Sequence, residues 1–276
     1  MNNQNSILLI DPKFDPSSSV NCSLLLKIGI DSFSYAILNK ELDRVMAVFD
    51  EQEITTVAKS LSDRIKSDAY LGLSFNEIKI AVYSENHISV PNEFYDHQEL
   101  NLNTKFFPEN SSEHIYTTSH ANFGFTSVFS FSKITDEIIN QSFANSKKYQ
   151  QHAPLLKLAE NNGNTSLFID FTVRSMHVLY VAEKNVIFQQ CYEIEHTEEF
   201  NYYLLLITNQ LAINYANTAI YISGIITQED ANYSCIKKYF NTIHFLNFAD
   251  DKLDQEVLDD MPSHYYTTLL ALDQCV

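Results

Sequence analysis

The sequence predicts an α/β protein of two lobes, each a βββαβα unit around a mixed sheet. Three observations lead there. Residues 23–49 and 166–194 each read as three consecutive strands, and each run is followed by an amphipathic helix and a fourth strand. Each opening strand ends on an apolar-Asp step, Ile28-Gly29-Ile30-Asp31 and Leu167-Phe168-Ile169-Asp170, and the aspartates stand 139 residues apart (170 − 31) in a chain of 276. Helix positions Ile54, Val57, Ala58, Leu61 and Ile65 recur as Phe200, Tyr203, Leu204, Ile207 and Leu211, each 146 residues later, at the three-and-four spacing of one helical face.

Taken in order, residues 1–21 form a polar leader with a short strand at 6–10 and a loop at 11–20, where two prolines and three serines break any period. Apolar residues 23–30 read as a buried strand, and 33–38 and 44–49 as two more joined by a charged turn. The helix at 54–65 leads to a fourth strand at 77–84. A long polar stretch at 86–122 then reads as an insertion, before a strand at 125–131 and a helix at 133–143. Residues 146–164 connect the lobes, with a short helix at 155–160 and an Asn161-Asn162-Gly163-Asn164 turn. The second half repeats the strands, starts its helix at Thr197 with Glu198 and Glu199 behind it, and places its fourth strand at 218–223. A helix at 228–240, a strand at 242–246, an acidic loop at 250–260 and a helix at 263–272 complete it. The lobes are expected at 1–150 and 151–276.

Composition narrows the function classes. Eighteen basic against 35 acidic residues give a formal charge of −17, which opposes phosphate binding and therefore nucleic acid or an anionic membrane surface as the main ligand. Four scattered cysteines without a C-x-x-C pair suit reduced thiols better than a disulfide frame or zinc site. The start lacks the basic and apolar regions of a secretory signal, and no apolar run approaches the roughly 18 residues of a membrane span. The expected location is the cytoplasm, without membrane insertion. The expected partner is another protein; the oligomeric state is left open.

The duplicated unit with an acid at its first β-turn resembles the ground plan of the actin-like ATPases, whose lobes are ribonuclease H-like. That resemblance implies a nucleotide between the lobes, two hairpin turns carrying Asp with Gly two residues on, and a Gly-Gly step after a later strand. Backbone amides freed by glycine reach phosphate, and the acids orient Mg²⁺ or water. Here the +2 positions hold Phe33 and Thr172, and the later strand ends Ile222-Ser223-Gly224-Ile225 with one glycine. Only Gly29, Gly72, Gly124, Gly163 and Gly224 exist in the chain, so no glycine is hidden at either turn. The cleft candidates are Asp31, Ser32, Asp170, Thr172 and Gly224. No catalytic residue, metal ligand or cofactor is expected beyond a vestigial ATP/Mg²⁺ site.

Other chemistry finds no foothold. Walker A, G-x-G-x-x-G, H-E-x-x-H and G-x-S-x-G motifs are absent from the sequence. The acidic run around His196 reads as a solvated connection, Asp250-Asp251 and Asp259-Asp260 as an exposed loop, and Cys275 as a free thiol.

Along essentially its whole length the chain is similar to the DUF3822 proteins of Bacteroidetes. The likeness rests on 24–37 (LLLKIGIDSFSYAI), Val90-Pro91 with Phe94-Tyr95-Asp96, and the strand–helix at 127–143. It continues through His152-Ala153-Pro154-Leu155-Leu156, Phe168-Ile169-Asp170-Phe171, Ile222-Ser223-Gly224 and 266–275. It implies an actin-like fold and carries no activity. Three readings of function follow. One is a non-catalytic binding or scaffold module. Another is a divergent ATPase or phosphotransferase using Asp31 and Asp170 across an interlobe site. A ribonuclease H-like nuclease is the third, opposed by the charge and by the single acid at the opening turn.

Overall fold

The computed structural model describes residues 5–105, 107, 112–160, 162, 164–248 and 253–276. The first sheet begins with β1 (Ser6–Ile10), β2 (Cys22–Ile28), β3 (Phe33–Asn39) and β4 (Arg44–Glu51). β2, β3 and β4 form an antiparallel meander, and β1 joins the outer edge of β4. β2 reads as continuous apolar sequence because both its faces are covered. Leu24 and Leu26 face one core cluster and Leu25 faces another. Asn39 Oδ1 accepts the amides of Glu41 and Leu42, which turns the chain between β3 and β4.

Helix α1 (Val57–Ser67) crosses to β5 (Glu77–Val82), which pairs parallel with β2. Leu61 is buried, with Val57 and Ile65 packed beside it; Ile54 packs on the same core but precedes the helix.

The stretch expected as a polar insertion is ordered into strands where it is described. β6 (Asn86–Pro91), α2 (Leu100–Thr104) and β7 (Tyr116–His120) precede β8 (Phe125–Ser130), and the three strands form a separate sheet in the order β6-β8-β7. β8 stands where a strand was expected; β6 and β7 were hidden by polar side chains, some of which find partners on β8. Ser127 Oγ meets His120 Nε2 at 3.1 Å, and Thr126 Oγ1 donates to Asn92 Oδ1 at 2.9 Å. Helix α3 (Lys133–Ser142) starts at Ser132, whose hydroxyl accepts the Thr135 amide. It leads to β9 (Lys147–Gln150), a four-residue strand parallel to β5 that sits within the expected connection. The sheet order is β1-β4-β3-β2-β5-β9.

Helix α4 (Ala153–Ala159) leads to the second set, β10 (Ser166–Phe171), β11 (Ser175–Ala182) and β12 (Asn185–Glu193). Of the expected turn at 161–164, Asn161 and Gly163 lie outside the described residues. The β11–β12 hairpin closes on Glu183 and Lys184, with φ of 51° and 64°, the left-handed pair that a two-residue turn requires. α5 (Thr197–Gln210) buries Phe200, Leu204 and Ile207. β13 (Ala219–Gly224) returns parallel to β10, and α6 (Ala231–Lys237) and β14 (Ile243–Phe245) extend the sheet to β12-β11-β10-β13-β14.

Of the acidic loop, 250–252 lie outside the described residues, while Asp254 and Glu256 both bond Arg44. The closing helix α7 (Thr267–Ala271) is shorter than expected. Leu269, Leu270 and Leu272 pack on Leu25, Leu38 and Val48 of the first sheet. The last residues thus complete the core of the first half, and Lys79 Nζ fixes them by donating to the carbonyls of Asp273 (2.6 Å) and Cys275 (2.8 Å). Among the described residues no helix is long and apolar enough to cross a membrane.

Candidate functional site

The opening hairpins of the two halves meet, and their pairing fixes which residues correspond. β2 and β3 pair until Ile28 faces Phe33, leaving Gly29–Ser32 as a turn closed by the Gly29 amide on the Ser32 carbonyl at 2.8 Å. β10 and β11 pair until Phe171 faces Met176, and Thr172–Ser175 is closed in the same way at 2.9 Å. The offset is therefore 143 (171 − 28 and 176 − 33), not 139. Asp31 corresponds to Arg174, and Asp170 corresponds to Lys27. The sequence match of the two aspartates is corrected accordingly. Asp31 lies in a turn beyond its strand, because Gly29-Ile30 has left the ladder, whereas Asp170 is still paired within β10.

Both acids are nearly out of reach of solvent, Asp31 at 7% and Asp170 at 1% exposure. Asp31 accepts hydrogen bonds from the opposite turn: Thr172 Oγ1 at 2.8 and 3.1 Å, Ser175 Oγ at 3.1 Å and the Arg174 amide at 3.0 Å. Asp170 accepts Lys27 Nζ at 2.5 Å, Thr268 Oγ1 of α7 at 3.0 Å and Ser223 Oγ of β13 at 2.7 Å. Lys27 Nζ also donates to Thr268 Oγ1 at 2.7 Å. Corresponding residues of the two halves thus bind each other, Lys27 to Asp170 by side chains and Asp31 to the amide of Arg174. Val173 adds a backbone link to Gln52 Oε1 at 3.3 Å.

The remaining sequence candidates have local tasks. Ser32 is buried and its carbonyl closes its own turn. Gly224 has φ +80°, and a Cβ there would lie 2.0 Å from the Phe171 carbonyl oxygen. Its bare backbone lets Ile225 donate to that oxygen at 2.9 Å. Phe33 is buried in the first core cluster, its ring 5.9 Å from Phe49.

Around these contacts lies a buried polar layer. Asp50, beside Lys27 and Asp31, has its carboxyl pushed up to about 6, chiefly by burial. The rings of His87, His152 and His177 succeed one another at 6.0 and 5.5 Å between centroids. Burial drives His177 down to about 3 and His152 well below the ordinary histidine range, so both rings are neutral. Burial also pushes the Cys191 thiol up to about 12. Among the described residues no three His, Cys, Asp or Glu side chains are grouped to hold a metal.

Sequence reasoning passed over Lys27, Ser175, Ser223, Thr268 and Asp50. A signal for Lys27 existed, since a lone cation in the apolar run Leu24-Leu25-Leu26-Lys27-Ile28 needs a buried partner. Thr268 and Ser223 carry no such mark.

Comparison with known proteins agrees with this architecture. A Bacteroides thetaiotaomicron protein with actin-like ATPase fold and unknown function is similar in structure, with a TM-score of 0.75 at 17% identity over 95% of this chain and 99% of that one. The PilM–PilN type IV pilus biogenesis complex matches with a TM-score of 0.59 at 12% identity, covering 93% and 98% of the two chains. The ethanolamine utilization protein EutJ of Carboxydothermus hydrogenoformans matches at 0.52 and 6% identity, over 97% and 93%. No curated protein matches the sequence. These likenesses establish the actin-like ATPase fold. With residues 11–243 matching the family described as "Protein of unknown function (DUF3822)", the chain belongs to that family.

Proposed function

We propose that this protein is a non-catalytic binding or scaffold module, an actin-like fold of two lobes divided near residue 150 in which the interlobe nucleotide site is vestigial. One observation carries the reading: the groups that would face phosphate and Mg²⁺ are spent on the opposite lobe. Lys27 sits on Asp170 at 2.5 Å, where a cation would have to bind. Thr172, Ser175 and the Arg174 amide occupy Asp31. The closing amides of Gly29 and Thr172 already donate within their own turns. These residues do not fit a nucleotide.

A protein partner suits a chain of charge −17 better than a polyanion does. A structurally similar chain belongs to the PilM–PilN type IV pilus biogenesis complex, which supports assembly as the kind of work this fold performs. Four unpaired cysteines suit a reducing, cytoplasmic setting. The test is isothermal titration of the full chain with ATP and ADP in the presence of Mg²⁺. Absence of binding at millimolar nucleotide is expected. Tight binding with turnover would replace this reading with the divergent ATPase or phosphotransferase.

A further inference from the structure

The carboxyl ends of two parallel strands border a second cavity. β2 and β5 run side by side until Ile28 faces Val82, and a cavity of about 300 Å³ opens at that pair. The first turn, the connection into β6, the start of α1 and the junction of β8 with α3 close round it. Ligands of α/β sheets collect at this end of the strands. None of the side chains that join the two halves lines it. One side chain there is unspent. Asn86 is 8% exposed, and its backbone N–H and C=O both bond Ser84 Oγ at 3.0 Å. Its side-chain amide has no partner among the described residues. Ser130 Oγ, directly across the β6–β8 ladder, is sealed from solvent; the Asn86 amide is not. Native structures rarely leave so buried an amide unspent, and at a cavity its natural partner is a ligand.

We propose that this cavity binds a small uncharged molecule that presents an amide edge, an adjacent N–H and C=O, on an apolar body the size of one ring. A planar Asn amide offers a donor and an acceptor side by side, and its complement is a second planar group with the pair reversed. A trans peptide bond turns its N–H and C=O to opposite sides, so an extended polypeptide cannot offer that edge.

The rest of the wall narrows the class. Ile28, Ile30, Val57 and Val82 give the body apolar contact. No Lys, Arg or His lines the cavity and Glu85 does, which opposes a phosphate or a carboxylate. At the rim the hydroxyls of Ser132 and Thr135 are bonded to each other at 2.8 Å. The volume stands at the lower limit of small-molecule sites and suits a single ring. Primary carboxamides and pyrimidine-type bases share this chemistry. The inference goes beyond the binding-module reading and stands or falls apart from it.

The experiment is titration of the isotope-labelled full chain with nicotinamide and, separately, with thymine. Affinity is read by saturation-transfer NMR on the probe, and the site by the side-chain amide signals of Asn86. Saturable binding at millimolar probe is expected, with those signals shifted. A response to nicotinamide marks a carboxamide ligand, and a response to thymine a pyrimidine-type one. N,N-dimethylnicotinamide, which lacks the N–H, and nicotinate, which is anionic, bind about tenfold more weakly or worse. Asn86→Leu removes the edge, and Val57→Phe fills the cavity from a half-buried position on α1. Each lowers the affinity of the responding probe about tenfold or more, with melting temperatures showing that the variants are folded. No saturable binding of either probe up to about 10 mM, equal binding of the dimethyl or anionic analogue, or affinity unchanged in Val57→Phe would overturn the proposal.

Discussion

Replacing Lys27 by Met leaves the Asp170 carboxylate, 1% exposed, with only the hydroxyls of Ser223 and Thr268 as donors. At 2.5 Å the attraction of the pair is about 7 kcal/mol for an effective dielectric constant of 20. Most of that offsets the desolvation of the two charges, so the intact pair is worth little against an apolar replacement. Removing one partner is different, because the stranded charge costs about 3–5 kcal/mol. The two remaining hydroxyl donors place Lys27→Met near 3 kcal/mol by that rule. For a chain of this size that is a drop of about 6–12 °C in melting temperature. The assay is a double-mutant cycle with Asp170→Asn, followed by far-UV circular dichroism in urea at pH 7. The double variant is expected to be less destabilised than the sum of the singles by about 2 kcal/mol. Single effects that add within about 0.5 kcal/mol would refute a direct Lys27–Asp170 contact across the two halves.

Asp31→Ala strips the acceptor from Thr172, Ser175 and the Arg174 amide, and is expected to lower stability by about 2–3 kcal/mol in the same urea assay; a loss below about 0.5 kcal/mol contradicts the contact. Gly224→Ala drives a methyl group against the Phe171 carbonyl at positive φ, so the variant is expected to lose at least about 3 kcal/mol or to fail to fold. Acid is also expected to weaken the fold. His177 and His120 are held by burial at about 3 and about 4, and His152 shifts in the same direction. Below the ordinary value near 6.5 the unfolded chain takes protons that the folded rings refuse, so stability present above that pH is lost as pH falls toward 3. At pH 5 the first two rings together forfeit about 4 kcal/mol. Asp50, raised to about 6, has the opposite sign and returns about 1 kcal/mol over the same interval. The urea midpoint should therefore drop between pH 7.5 and 5.0; a midpoint that holds or rises contradicts neutral, buried histidines.

The repeated strands and helices were legible because their apolar periods are long and each buries a face in a core. Phe200, Leu204 and Ile207 sit where a 3.6-residue period puts them. Of the third sheet only β8 was legible, at 125–131; Thr117, Thr118 and Ser119 of β7 show no apolar alternation. β9, Lys147–Gln150, is too short and too charged to announce itself, and is held by its pairing with β5. The acids Asp31 and Asp170 were visible as outliers in apolar surroundings, but their equivalence was misread. Sequence spacing aligned like with like, whereas the hairpins align Asp170 with Lys27 and Asp31 with Arg174. Opposite charges at corresponding positions leave no trace in a search for repetition.

The central claim is that the two hairpin turns hold each other where a nucleotide would separate them. Hydrogen exchange of the Thr172–Ser175 turn tests it most directly, because the Arg174 amide has Asp31 of the opposite hairpin turn as its partner. Slow exchange is predicted for wild type, unchanged by Mg²⁺ and ATP and accelerated by Asp31→Ala. Fast exchange in the free protein that becomes slow when Mg²⁺ and ATP are added would contradict the account.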